Sequence, residues 1–151
     1  MRLQQYIDEN GLTAKIISLK TSTKTVNESV KALNCMPEEI IKSIIVVTDT
    51  KEFYLVLLQG NRKIKTKKLK NLLHVKDIKL ASPEQVENVT GYKVGDVPPI
   101  SVDLPIILDE LSLESTQLYA GGGTSNKLLS ISIDELLDCT HPLIADVSVP
   151  I

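Results

Sequence analysis

Apolar and polar positions switch between two periods along this chain, and each switch marks an element. Leu3, Tyr6 and Ile7 recur at helical spacing, so residues 3–10 read as a short amphipathic helix closed by Asn10-Gly11. Leu12 to Leu19, with Ile16, Ile17 and Leu19, has β-character. Thr25-Val26-Asn27-Glu28 has the form in which a hydroxyl takes the third helical amide and a glutamate reaches back. Val26, Val30 and Leu33 mark one face behind it, which predicts a helix over 26–34. Met36-Pro37-Glu38-Glu39 opens a further helical turn, with Pro37 near its first position. From Ile40 to Thr48 β-branched residues dominate, which predicts a strand buried on both faces. Asp49 to Glu52 is a turn, and Phe53 to Leu58 completes a hairpin.

Leu69, Leu72 and Leu73 predict a helix over 66–74 with its leucines inward and its lysines outward. Ile78-Lys79-Leu80 is a short strand, and Ser82-Pro83-Glu84-Gln85 is a second capping box that heads a helix over 83–89. Pro105 to Leu108 reads as an apolar strand. Gln117 to Ala120 and Leu128 to Ile131 are two more, joined through Gly121-Gly122-Gly123, where a backbone or a ligand can come close. Ser132-Ile133-Asp134-Glu135 is a third box, starting a helix over 133–138, and the tail from His141 to Ile151 is extended. Helices and short strands are interspersed, with no repeat and no low-complexity linker. The pattern predicts one α/β (α+β) domain over residues 1–151, its mixed sheet curled towards a barrel and flanked by helices.

Composition adds little to that picture; the distribution of charge adds more. With 151 residues, 42% hydrophobic and 24% charged, the chain has the profile of one soluble domain. A net charge of −2 demands no nucleic acid as such, and one Phe, four Tyr and no Trp argue against base stacking as the main binding device. Seven of the seventeen basic residues, however, fall between Gly60 and Lys76 with no acidic residue among them. Arg62, Lys63, Lys65, Lys67 and Lys68 are its densest part. Two readings are open: a solvated helix face, or a patch for phosphates on an electrically lopsided molecule. Cys35, Cys139, His74 and His141 stand apart, without metal-ligand spacing, so neither metal nor cofactor is expected. No apolar run has bilayer length and the N-terminus lacks a signal-like core, which predicts a cytoplasmic protein with no membrane contact. No exposed apolar patch is evident in the strands, and a monomer is expected.

The familiar catalytic signatures are missing: no GxSxG elbow, no Walker loop, no GxGxxG fingerprint. Two features remain. Lys42 lies between Ile40-Ile41 and Ile44-Ile45, either snorkelling to water from the start of a strand or holding a cation near a ligand oxygen. The stretch from Thr90 to Ser101 holds Gly91, Gly95, Pro98 and Pro99, which make a stiff loop with bare backbone at Gly95. It is either a tight connection or a place where amides meet a ligand. A lysine plus backbone amides suits ester hydrolysis with water as nucleophile, since amides can stabilise the oxyanion without a nucleophilic side chain.

Ile41-Lys42-Ser43-Ile44, Thr90-Gly91-Tyr92-x-x-Gly95-x-x-x-Pro99-Ile100 and Tyr119-Ala120-Gly121-Gly122-Gly123, in this order, resemble the YbaK family. That family includes free-standing aminoacyl-tRNA deacylases and the editing domain inserted in bacterial prolyl-tRNA synthetases. The resemblance implies a mixed β-barrel with flanking helices and hydrolysis of mischarged tRNA, commonly Ala- or Cys-tRNA(Pro). It implies that Lys42 contacts the terminal adenosine at the 3′ acceptor end. Gly95 would hold the aminoacyl end and the attacking water on its backbone. Pro98 and Pro99 would shape the pocket, and Gly121, Gly122 and Gly123 would line the same cleft. Aminoacyl-tRNA, and an aminoacyl-tRNA synthetase with it, would be the partners.

Two residues depart from the family's pattern. Asp96 stands where a second glycine is common, and Ser101 where a glycine is common. Asp96 could attract an ammonium group, repel tRNA phosphate or point to solvent. Two other readings therefore stay open. One is a non-catalytic module of the same fold that binds tRNA or a synthetase, using the basic 62–76 stretch. The other is a small-molecule barrel unrelated to RNA.

Overall fold

The computed structural model describes residues 2–151. The first elements are α1 (Arg2–Glu9), β1 (Lys15–Ser18), α2 (Val26–Leu33), a 3₁₀ turn (Pro37–Glu39), β2 (Ile41–Thr48), β3 (Phe53–Gln59) and β4 (Arg62–Ile64). Then follow α3 (Thr66–Leu73), β5 (Ile78–Leu80), α4 (Pro83–Thr90), β6 (Ile106–Asp109) and a second 3₁₀ turn (Glu110–Glu114). The last are β7 (Gln117–Gly121), β8 (Lys127–Ser132), α5 (Ile133–Thr140), β9 (Leu143–Ala145) and β10 (Ser148–Pro150).

The helices begin where their side chains can cap them. The hydroxyls of Thr25, Ser82 and Ser132 accept the third helical amides of α2, α4 and α5. The helices end where a residue can take the left-handed conformation: Asn34, His74, Gly91 and His141 are the C-caps of α2, α3, α4 and α5. Both histidines are thus helix stops.

The β2–β3 hairpin is the middle of a five-stranded mixed sheet ordered β5-β2-β3-β6-β9. β2 pairs with β3 and with β5 antiparallel, while β3–β6 and β6–β9 are parallel. Side chains of successive residues leave a strand on opposite faces, and this sheet has a core on each. Ile41, Ile45, Leu55 and Leu57 join α1, the 91–101 loop and β8 in the larger core. Val46, Val56 and Leu58 meet Leu69 of α3 and Val147 in the smaller one. Beside this sheet stand a three-stranded antiparallel sheet, β1-β8-β7, and a two-stranded one, β10-β4.

The mixed α+β class expected from the sequence is what the chain adopts, with one correction: the sheets do not close into a barrel. β7 meets the main sheet through a single parallel bridge, Ile40 to Tyr119. β5 covers β2 only at Val46–Thr48. The first half of β2 therefore keeps an open edge, and it is only half-buried at Lys42, Ser43 and Ile44. The expectation of a strand buried on both faces holds for Ile40, Ile41 and Ile45 to Thr48, and fails at Lys42, Ser43 and Ile44.

Candidate active site

The 91–101 loop is built from the inside out. Gly91 stops α4, and the Thr90 hydroxyl accepts the Tyr92 amide at 3.0 Å, which turns the Tyr92 ring into the core. A tight turn follows, with the Asp96 amide donating to the Lys93 carbonyl at 2.9 Å. Gly95 sits at the tip of that turn with φ +87°, a conformation that disfavours side chains. From Asp96 to Ile100 every residue is buried, Pro98 and Pro99 included. Ser101 closes the loop at φ +64°, unusual without glycine. The Arg2 guanidinium donates to its carbonyl at 3.2 Å, and the Tyr92 hydroxyl lies 3.3 Å from its Oγ.

The triple glycine fits against this loop. A Cβ on Gly121 would lie 2.4 Å from the Val97 carbonyl oxygen, and the Gly123 amide donates to the Asp96 carbonyl at 3.0 Å. Gly122 is as constrained from within its own hairpin, because its Cβ would lie 2.5 Å from the Lys127 carbonyl carbon. Two loops far apart in sequence thus meet backbone to backbone.

A cavity of about 320 Å³ opens between these loops and the bare edge of β2. Lys42, Gly95 and Gly121 all line it, together with Ser43, Lys24 and Val94. Its walls are otherwise largely aliphatic, from Ile41, Ile45, Val86, Val97 and Leu128. Asp96, Pro98, Pro99, Gly122 and Gly123 do not line it, and the Gly123–Asp96 backbone bond ties together the two loops that carry them. A second hollow, about 530 Å³ and bordered by Arg2, Tyr6, Ser101 and Cys139, is lined by neither Lys42 nor any glycine of the two loops.

Lys42 is half-buried and donates from Nζ to the Arg62 carbonyl. Burial holds its pKa below the ordinary lysine value. The snorkelling expected as one reading of Lys42 thus ends on a backbone carbonyl rather than in water. Asp96, left open in the sequence between pocket, phosphate and solvent, is buried instead. Burial pushes its carboxyl pKa up, with Lys24 and Lys93 pulling the other way, and its Oδ1 has no hydrogen-bond partner. In the basic stretch, Arg62 donates to Ser148 Oγ at 2.7 Å, and Lys68 pairs with Asp146 at 2.9 Å, so both face β10. Lys63, Lys65 and Lys67 are exposed.

Sequence reasoning passed over Lys24 and Ser43. Lys24 follows a run of small polar residues that reads as an ordinary loop, yet its carbonyl would lie 3.1 Å from a Cβ on Gly95. Ser43 is a small residue in an apolar strand, with no signal of its own.

The profile of the aminoacyl-tRNA editing domain matches residues 20–139, which takes in the β2 edge and both glycine loops. The chain belongs to this family. Among relatives of the editing domain, the proline–tRNA ligase of Desulfotalea psychrophila is 30% identical over 135 residues, 88% of this chain and 23% of the ligase. That of Halalkalibacterium halodurans is 35% identical over 124 residues, 82% of this chain and 21% of the ligase. The chain thus spans under a quarter of the length of these relatives. The crystal structure of a candidate trans-editing enzyme for prolyl-tRNA synthetase superposes with a TM-score of 0.89 at 31% identity, covering 98% of this chain and 95% of that one. A hypothetical protein of known crystal structure superposes with a TM-score of 0.93 at 32% identity, covering 99% and 100%. Among the described residues no helix is long and apolar enough to cross a membrane.

Proposed function

We propose that this chain is a trans-editing deacylase that hydrolyses the ester of mischarged tRNA, with Ala- or Cys-tRNA(Pro) as substrate. The observation that carries the reading is that Lys42 and Gly95 line one cavity, in a chain with the editing-domain fold. The cavity walls suit a small side chain without positive charge, because a cationic one would be buried among aliphatic groups with only lysines as charged neighbours. Water adds to the ester carbonyl, backbone amides at Gly95 take the developing negative charge, and the bond to the ribose oxygen breaks. One water proton ends on that oxygen and the other leaves as the free carboxylate forms. Lys42 orients the terminal adenosine as a cation. Behind the cavity, Asp96, Pro98, Pro99, Gly122 and Gly123 act as supports of the binding surface. The chain works as one unit over residues 1–151, as a cytoplasmic monomer, and takes the 3′ acceptor end alone or beside a synthetase. Lys63, Lys65 and Lys67 receive tRNA phosphates, with Arg62 and Lys68 setting the shape of that surface.

The test is deacylation of labelled Ala-, Cys-, Ser- and Pro-tRNA(Pro) by wild type and Lys42→Ala. Wild type should release one mischarged species, and Lys42→Ala should lose at least about 10²-fold in rate, the scale for one preorganised polar group, at an unchanged melting temperature. Full activity in Lys42→Ala removes the assigned role. Salt-sensitive tRNA binding with no release of any label would point to a binding module of the same fold.

Activity should also fall as pH rises through the lowered Lys42 pKa, because the neutral amine no longer serves as the cation. A pH–rate profile that stays flat to the ordinary lysine range would contradict this.

A further inference from the structure

Hydrogen bonding along β2 alternates strictly. Even-numbered residues face β3: the Thr48 amide donates to the Glu52 carbonyl at 2.9 Å, and the Ile40 carbonyl accepts from the Gly60 amide at 2.8 Å. Odd-numbered residues face β5: the Asp49 amide donates to the Asp77 carbonyl at 3.1 Å, and the Ile45 carbonyl accepts from the Ala81 amide at 2.9 Å. The next odd residue is Ser43, whose partner in the same register would be residue 83. That residue is Pro83, which has no amide hydrogen and already begins α4. On the other side of the gap, β7 contacts this edge only through the Ile40–Tyr119 bridge.

β5 therefore leaves the Ser43 N–H and carbonyl, which point away from β3, without the partner that the register would supply. Its hydroxyl is also unpartnered, and the residue lines the cavity beside Lys42. Buried or half-buried polar groups are nearly always paired. A strand edge that its neighbour leaves uncovered and an unpartnered hydroxyl, in the wall of one cavity, make a place for a ligand.

We infer that Ser43 binds the aminoacyl group of the substrate as though it were the absent next residue of β5. The inference rests on the deacylase reading above and deepens it. In a close antiparallel pair, two residues exchange hydrogen bonds in both directions. An aminoacyl ester carries the same two groups at the same spacing, an α-ammonium donor and a carbonyl acceptor. The ammonium donates to the Ser43 carbonyl, and the Ser43 amide donates to the ester carbonyl oxygen. That oxygen becomes the oxyanion when water adds, so the Ser43 amide is a second donor to it besides Gly95. Cross-strand partners share a face, so the substrate's side chain lies on the Ser43 side of the sheet, flanked by Ile41 and Ile45. The edge thereby reads the free amine and the small side chain together.

The probes are 3′-alanylamino-3′-deoxyadenosine, in which an amide replaces the labile ester, and its 3′-propionylamino counterpart, which lacks the amine. Each is titrated into the ¹⁵N-labelled full chain. With the alanyl compound the Ser43 amide resonance should shift, and its hydrogen exchange should slow at least about tenfold at saturation. The propionyl compound should bind about tenfold more weakly, or worse, the loss expected when a charge-assisted hydrogen bond is removed. An unresponsive Ser43 amide, equal affinity for the two compounds, or no binding of either overturns the inference. Deacylation of Ala-tRNA(Pro) is measured on the same preparation. Turnover with an unresponsive Ser43 leaves the deacylase reading standing and removes this one. A responsive Ser43 without turnover does the reverse.

Discussion

An alanine at position 121 would put its Cβ 2.4 Å from the Val97 carbonyl oxygen, with the Val97 and Asp96 carbonyl carbons at 2.9 and 3.0 Å behind it. Backbone cannot swing aside as a side-chain tip can. Gly121→Ala should therefore part the two loops, lower stability by about 1–3 kcal/mol as overpacking does, and reduce deacylation more than the stability loss explains. Thermal melts and single-turnover rates, measured together, check this. Asp96 makes the opposite case. Its folded-state pKa is raised, so the folded chain holds the proton more tightly than the unfolded one. The stability it contributes is largest at low pH and is lost as pH rises from the ordinary carboxylate range through the raised value. Asp96→Asn should be more stable than wild type by about 1 kcal/mol at pH 7 and no more stable near pH 3. Urea midpoints at the two pH values decide it. An equal change at both would mean that the carboxylate's charge is not the cause.

At the scale of elements, the three capping boxes were legible because a cap is local. Only Ser82–Gln85 is reciprocal, with bonds of 2.9 and 3.2 Å. Thr25 and Ser132 cap as the sequence reads, but their glutamates go elsewhere. Glu28 takes the Thr25 hydroxyl, and Glu135 reaches across to the residues just before β1, accepting from the Thr13 amide, the Thr13 hydroxyl and the Ala14 amide at 2.8–3.0 Å. Burial raises the Glu135 pKa, but those three bonds outweigh it and the net shift is downward. Its stabilisation is thus present above the ordinary glutamate pKa and lost as pH falls through the depressed one. Glu135→Ala should cost about 1–3 kcal/mol at pH 7 and approach wild type in acid; a constant difference across pH would refute it. Nothing around Ser132 announces this reach, because the partner lies at the other end of the chain. The same reason hid β4, whose short Arg62–Ile64 segment becomes a strand only when β10 arrives to pair with it. The candidate site divides likewise. Lys42 and Gly95 could be singled out from residue type and spacing. The gap at Ser43 could not, since it depends on where β5 stops.

For the whole molecule, the basic stretch is less uniform than its sequence. Arg62 and Lys68 hold the C-terminal strand, while Lys63, Lys65 and Lys67 face solvent. Replacing those three by alanine should weaken tRNA binding and flatten the slope of log affinity against log salt by roughly 2–3, close to one unit per lost phosphate contact, with folding unchanged. Replacing Arg62 should instead lower stability. An unchanged salt slope in the triple variant would place the tRNA on another face.

The pairing of Lys15 with Ser130, and of Ser18 with Lys127, has a further consequence. During synthesis β1 leaves the ribosome well before β8, its ladder partner among the described residues. At ordinary elongation rates that is a wait on the order of ten seconds, in which Ile16 and Ile17 present a bare strand edge to every other nascent chain nearby. Completion of β8 therefore shields β1, and translation products stalled before β8 should be the aggregating species.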